Sequence, residues 1–313
     1  MQAYRGLDVL VTGAGGFLGS HTCRALLQAG ARVHGLVRPG REYPRLGPLA
    51  RDVELHRVDV ADSGGVQSAV RRVRPRVVFH LAASLDRARS LRTIETLTEV
   101  NIQGTLNVLR AAASAGTEVV VYTGSYEEYG RLAPPFSEAQ AIDPLTPYAA
   151  SKATASLWCR TLHKSIGLNA IAARLFMIYG PGQPEFNFIP QLLEAVRTGT
   201  PLKMTRGEQT RDFTWVDDAV EALLRLGRQP ALGGQVFNVC TGRETSLHDV
   251  IILLESVLGR EVPVELGALE YRESELFRVW GSPSTLLGAT GYKPRTELRE
   301  GLELLVRAEG ILD

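Results

Sequence analysis

Cysteine is scarce: Cys23, Cys159 and Cys240 are the only three among 313 residues, and no two stand in a CxxC pair. An odd, scattered set fits neither a disulfide framework nor a zinc site. The thiols are therefore read as buried small hydrophobes in a reducing compartment, and no metal is expected. No apolar run approaches the ~20 residues of a membrane-spanning helix. Charge of one sign is missing as well. The 35 basic and 34 acidic side chains leave a formal +1, so no global field draws the chain to nucleic acid or a membrane surface, and a charged ligand has to be held by local groups. Repeats and low-complexity tracts do not occur. The opening MQAYRGLDVLVTGAGG has no basic region followed by an apolar stretch and a cleavage site, and a cytoplasmic location is expected.

What is present is a rhythm. Hydrophobic residues make up 44% of the chain, and the length allows one large domain or two modest ones. Short apolar runs (LDVLVTG, ARVHGLV, VELHRVD, RVVFHLA, EVVVYTG and LNAIAARLF) alternate with longer amphipathic stretches. That alternation predicts an α/β fold, a parallel sheet with helices on both faces, over residues 1–175. After the Pro/Gly-rich YGPGQPEFNFIP, helices are predicted at 189–198, 217–227 and 246–259, with short strands at PLKM and QVFNV. Residues 176–211 and 243–313 are assigned to a smaller α/β lobe, and 212–242 to segments returning to the first. Ligands of such a fold bind in the crevice at the carboxyl ends of the strands.

The first strand runs into VTGAGGFLGS, where Gly13, Gly16 and Gly19, with Phe17 and Leu18 between the last two, open a helix. Glycines allow a tight turn and close backbone approach, and the helix N-terminus offers free amides to a pyrophosphate. Many NAD-binding folds end the second strand with an acidic residue for the ribose 2′-hydroxyl. This chain has Arg38, with Arg41 behind it, which suits a 2′-phosphate. NADP(H) is therefore favoured, with NAD(H) possible. Asp59 and Val60 follow the third strand and are placed for the adenine edge. Leu81, Ala82, Ala83 and Asn101 are candidates for the ribose and diphosphate side, and each alone could equally be packing or a cap.

PYAASK puts Tyr148 and Lys152 on one helix face. A lysine ammonium favours a phenolate and lowers a tyrosine pKa from its reference of about 10, so Tyr148 can exchange a proton with an alcohol or ketone oxygen. Ser125, ending the strand EVVVYTGS, completes a triad on that oxygen.

With these motifs in place the chain resembles the extended short-chain dehydrogenase/reductases that act on nucleotide sugars. The resemblance runs through TGAGGFLGS, HLAAS, NIQGT, GSYEEYG, YAASK, RLFMIYGPGQ and RDFTWVDD. It implies a Rossmann doubly wound sheet, a bound nicotinamide, a C-terminal lobe holding a nucleotide-diphosphate sugar, and a homodimer formed through helices near 92–115 and 148–166. It also implies catalytic roles for Ser125, Tyr148 and Lys152. Substrate contacts are implied at Ser84, Ser125, Tyr126, Asn187, Phe188, Arg211 and Arg272; Arg211 could instead pair with Asp212 or Asp217. Met177 stands where epimerases of this group usually have Asn in RxFNxYGP, which points to a less hydroxylated sugar. GSYEEYG, NFIP, GEQTRDFTWVDD and GALEYRESE are similar to segments of reductases that make CDP-abequose or reduce GDP-4-keto-6-deoxymannose.

Four readings follow. A 4-ketoreductase takes hydride from NADPH and a proton from Tyr148. A 4-epimerase of the UDP-glucose type keeps NAD bound and returns the hydride to the other face. A 4,6-dehydratase needs a further base, and Glu127, two positions after Ser125, occupies the place of that base; Tyr126, however, stands where a carboxylic proton donor is usual. A non-catalytic redox sensor needs neither Tyr148 nor Lys152. The ketoreductase is favoured, with Glu127 expected to point into the cleft and Glu128 to face solvent or an arginine.

Overall fold

The computed structural model describes residues 2–86, 90–272 and 275–312. Its first half alternates strand and helix in the predicted order: β1 (Asp8–Thr12), α1 (Phe17–Gln28), β2 (Arg32–Val37), β3 (Glu54–Arg57), α2 (Ser63–Val73), β4 (Val77–His80), α3 (Leu91–Leu97), α4 (Gly104–Ala115), β5 (Val119–Ser125), α5 (Pro147–Ile166) and β6 (Ala170–Leu175). A π-helical turn, Thr98–Gln103, joins α3 to α4. The second half comprises β7 (Met177–Tyr179), α6 (Phe188–Thr198), β8 (Leu202–Met204), β9 (Thr210–Arg211), β10 (Phe213–Trp215), α7 (Val216–Leu226), β11 (Val236–Val239), β12 (Thr245–Ser246), α8 (Leu247–Leu258), β13 (Val264–Leu266), α9 (Ser284–Thr290) and α10 (Leu298–Ala308).

Seven strands form one parallel sheet in the order β11-β6-β5-β4-β1-β2-β3. The continuous apolar character of β4 and β5 follows from burial on both faces, and every residue of both strands is buried. α1 and α7 cover one face around Val9, Val11, Phe79 and Val121, and α2, α4 and α5 cover the other around Leu10, Val78, Val120 and Tyr122. A third apolar cluster gathers Leu192, Leu193, Trp215, Leu254 and Leu305 from α6, β10, α8 and α10. The three buried cysteines are free, as the composition suggested. Among the described residues no helix is long and apolar enough to cross a membrane.

The chain runs outward from β1 to β3, then crosses to the other side of β1 to build β4. That reversal opens a crevice between the carboxyl ends of β1 and β4, the place where open α/β sheets bind ligands.

Candidate active site

The crevice holds a cavity of about 530 Å³ whose wall includes the glycine loop, the end of β2, the β4 loop and the start of α5. Gly13 sits at φ +70°, and a Cβ there would meet Ala82 Cα at 2.9 Å. A Cβ on Gly19 would lie 2.1 Å from the Gly13 carbonyl oxygen. The loop is thus drawn tight against both its own helix and the β4 loop, leaving the first amides of α1 beside the cavity. This is the cradle a dinucleotide pyrophosphate requires, and the residues present fit the group.

His80 braces the same corner. Its two ring nitrogens meet Thr12 Oγ1 at 2.7 Å and Thr105 Oγ1 at 2.9 Å, and the Ala82 N–H donates to Thr12 Oγ1. Burial, helped by the nearby Lys152 charge, pushes the imidazole pKa down to about 3, so it serves as a neutral strut. The struts fix Leu81, Ala82 and Ala83 on the cavity wall.

At the outer end of the cavity Arg38 and Arg41 line the wall with Asp59 and Val60. Arg38 Nε lies 3.2 Å from Asp59 Oδ2, which tethers the guanidinium at the rim. Tyr43, not anticipated from the sequence, also lines this end and donates its hydroxyl to the Arg38 carbonyl.

At the inner end stand Ser125, Tyr148 and Lys152, all buried. Thr146 caps α5 by accepting from the Ala149 N–H, and Pro147 occupies its first turn, so Tyr148 enters the helix at the cavity and Lys152 follows one turn on. Lys152 Nζ donates to the Thr123 carbonyl at 2.7 Å. Burial pulls its pKa down to about 8, opposed by the Glu128 carboxylate. Ser125 caps the short turn Tyr126–Tyr129, its Oγ accepting from the Glu127 N–H.

The two adjacent carboxylates have different fates. Glu128 has no exposed surface: Oε1 accepts from the Ser125 N–H at 2.9 Å and from Ser156 Oγ at 3.1 Å, while Oε2 accepts from Arg174 Nε at 2.8 Å. Of the two surroundings expected for it, solvent is therefore excluded and an arginine is found. Arg174 in turn lies over the Tyr129 ring at 4.5 Å. Glu127 is half-buried and does not line this cavity.

Other sequence candidates divide the same way. Phe17, Leu18, Tyr126, Met177 and Asn187 line the cavity. Asn101 does not: its amide clips the backbone of Ser84 and Ser151 Oγ, so both it and Ser84 support the wall from behind. Phe188 starts α6 within the third apolar cluster. Arg211 lies off the wall, paired with Glu275 rather than with Asp212 or Asp217, and Arg272 is exposed. Asp212 instead accepts from the backbone of Thr241 and Gly242, and Asp217 from His21. Gln183, missed in the sequence although it lies in YGPGQ, lines the cavity with a buried Oε1 that has no hydrogen-bond partner.

The family model described as "NAD dependent epimerase/dehydratase family" matches residues 9–240. The chain belongs to this family. It is 32% identical over 305 residues to a UDP-glucose 4-epimerase of Mycolicibacterium smegmatis, covering 95% of this chain and 96% of that one. It is 30% identical over 309 residues to the GDP-6-deoxy-D-mannose reductase of Pseudomonas aeruginosa, covering 95% of each. Among solved structures it resembles the Thermus thermophilus UDP-glucose 4-epimerase in complex with NAD, with a TM-score of 0.86, 30% identity and coverage of 97% and 99%.

Proposed function

We propose that the protein is an NADPH-dependent reductase of the C4 ketone of a nucleotide-linked 4-keto-6-deoxyhexose. The observation that carries this reading is the contrast between the two ends of one cavity. Where β2 ends, Arg38 and Arg41 offer guanidinium groups beside Glu42 and Asp59, and Asp59 is already paired with Arg38. Where Ser125, Tyr148 and Lys152 converge, the neighbouring wall is Tyr126, Phe176 and Met177. A 2′-phosphate suits the first end, and a sugar carrying a methyl in place of a hydroxymethyl suits the second.

The glycine-loop amides, Arg38, Asp59 and the Leu81–Ala83 loop would hold NADPH, which supplies the hydride when bound. Tyr148 gives its phenolic proton to the C4 oxygen, Ser125 donates a hydrogen bond to the same oxygen, and the Lys152 charge steadies the phenolate left behind. Glu128 fixes Ser125 by accepting its backbone N–H. Residues 176–211 and 243–313 are read as the nucleotide-binding lobe, with Asn187 and Gln183 facing the substrate. Exposed Leu91, Ile94, Leu157 and Trp158 on α3 and α5 support a homodimer through that side.

Epimerisation at C4 is the second reading, favoured by the similarity to UDP-glucose 4-epimerases. The dehydratase reading is weaker. Tyr126, packed 5.6 Å from the Phe176 ring, is a phenol with a reference pKa of about 10 and a poorer proton donor than a carboxylic acid. Incubation with nucleotide-linked 4-keto-6-deoxyhexoses and NADPH should oxidise the cofactor and yield the 4-hydroxy sugar by NMR. UDP-glucose and UDP-glucuronate with NAD form the competing arm. Epimerised hexose without NADPH consumption on any keto-sugar would overturn the proposal.

A further inference from the structure

We propose that His34, Glu54 and His56 form a binding site for a divalent transition metal of the zinc type at the β2–β3 edge of the sheet. The parallel register pairs His34 with Glu54 and Leu36 with His56. Alternate residues of a strand share a face, so the two strands present imidazole, carboxylate and imidazole together. His34 Nδ1 lies 3.3 Å from Glu54 Oε2, His56 Nε2 lies 3.7 Å from Glu54 Oε1, and the two ring nitrogens are 3.4 Å apart. In a tetrahedral site with metal–ligand bonds of about 2.0–2.1 Å, neighbouring donor atoms stand roughly 3.3–3.4 Å apart. The spacing between the rings and that from His34 to the carboxylate match this edge, and His56 lies slightly farther from the second carboxylate oxygen.

The protonation pattern supports the same conclusion. His34 Nε2 is 3.2 Å from Asp8 Oδ1, and Asp8 is held by Arg32 through two bonds of 2.7 and 2.5 Å. A carboxylate only accepts, so in the tautomer whose Nε2–H donates to Asp8 the Nδ1 lone pair turns toward Glu54 and His56. Carboxylate, histidine and metal in a row is the usual way an outer group orients a ligand. Without a cation, the Nδ1 lone pair faces a carboxylate oxygen at contact distance, which is repulsive unless a second proton lies between them. Arg72, 3.3 Å from Glu54 Oε1, belongs to an exposed side chain that can withdraw. Glu54 is half-exposed while the rings are mostly covered, so the ion enters from the carboxylate side and keeps its fourth position for water. His34 lies four residues before Arg38, roughly 13 Å along the strand, so the ion braces the edge strand and does not touch reacting atoms.

The test uses the full chain, stripped with EDTA, dialysed and titrated with zinc chloride by calorimetry, with bound zinc counted by mass spectrometry. One equivalent per chain and a raised Tm are expected. Glu54→Gln and His56→Asn should each weaken binding at least tenfold. Asp8→Asn, which leaves all three ligands in place, should weaken it by about 10–100-fold. His248→Gln, exposed and elsewhere, should bind as wild type. Absence of a stoichiometric site, or zinc binding undiminished in Glu54→Gln, would overturn the proposal. So would nitrogen NMR showing His34 protonated on both nitrogens in the presence of zinc. Should His56→Asn fail to fold by circular dichroism, Glu54→Gln carries the test alone.

Discussion

Replacing Glu128 with Leu tests how the inner end of the cavity is built. The carboxylate is fully buried and the Arg174 side chain is 6% exposed, so solvent screens neither charge. Removing one partner of such a pair leaves the other charge buried and unpaired, which costs about 3–5 kcal/mol, whereas replacing both by apolar groups is often near neutral. The Ser125 N–H also loses its acceptor, adding about 1–3 kcal/mol to the single variant. Glu128→Leu and Arg174→Met should therefore each show a large drop in urea midpoint, and the double variant should lose several kcal/mol less than their sum. The active site reports separately. Glu128 raises the Lys152 pKa against burial, so its loss should move the alkaline limb of the pH–rate profile below about 8. Glu128→Gln, which keeps an acceptor for Ser125, should shift the limb with a smaller loss of stability. Additive losses in the urea cycle, together with an unmoved limb, would refute the reasoning.

Arg38→Asp should weaken NADPH binding by at least about 1.5–3 kcal/mol and leave NADH little changed, read from the two dissociation constants by fluorescence titration. Tyr148→Phe should keep fold and cofactor binding while kcat falls roughly 10²–10⁴-fold, since only the proton donor is lost. In the wild type, Lys152 is charged below pH about 8 and neutral above it, so kcat/KM should fall as pH rises through that value. Gly19→Ala forces a methyl onto the Gly13 carbonyl, and overpacking of about 1–3 kcal/mol should appear as weaker cofactor binding with circular dichroism unchanged.

Local signals carried most of the architecture into the sequence. The apolar runs became β1 to β6 because period and burial agree, and the predicted helices at 189–198, 217–227 and 246–259 correspond to α6, α7 and α8. The glycine loop and the Tyr148–Lys152 spacing are visible for the same reason: each acts within one turn or one helix. What stayed hidden depends on register between distant strands. Glu128 meets Arg174 across 46 residues, although an arginine inside the apolar run AIAARLF was a signal that a buried partner existed. Asn101, a candidate for either the cofactor wall or a packing role, spends its amide on Ser84 and Ser151. Arg211 sits next to Asp212 in sequence yet pairs with Glu275, because Asp212 is taken up by the backbone of Thr241 and Gly242.

The outermost strand has a consequence for synthesis. β11 seals the β6 edge, and its Asn238 amide oxygen accepts from the buried Tyr129 hydroxyl, but 60 residues separate Leu175 from Val236. At ribosomal rates of about 5–20 residues per second, the nascent sheet carries an unpaired, apolar β6 edge for roughly 3–12 s before its partner emerges. Such an edge is a template for pairing with another chain. Chains that stall between residues 176 and 235 are therefore expected to aggregate most readily, and chaperone demand during translation should peak across that interval.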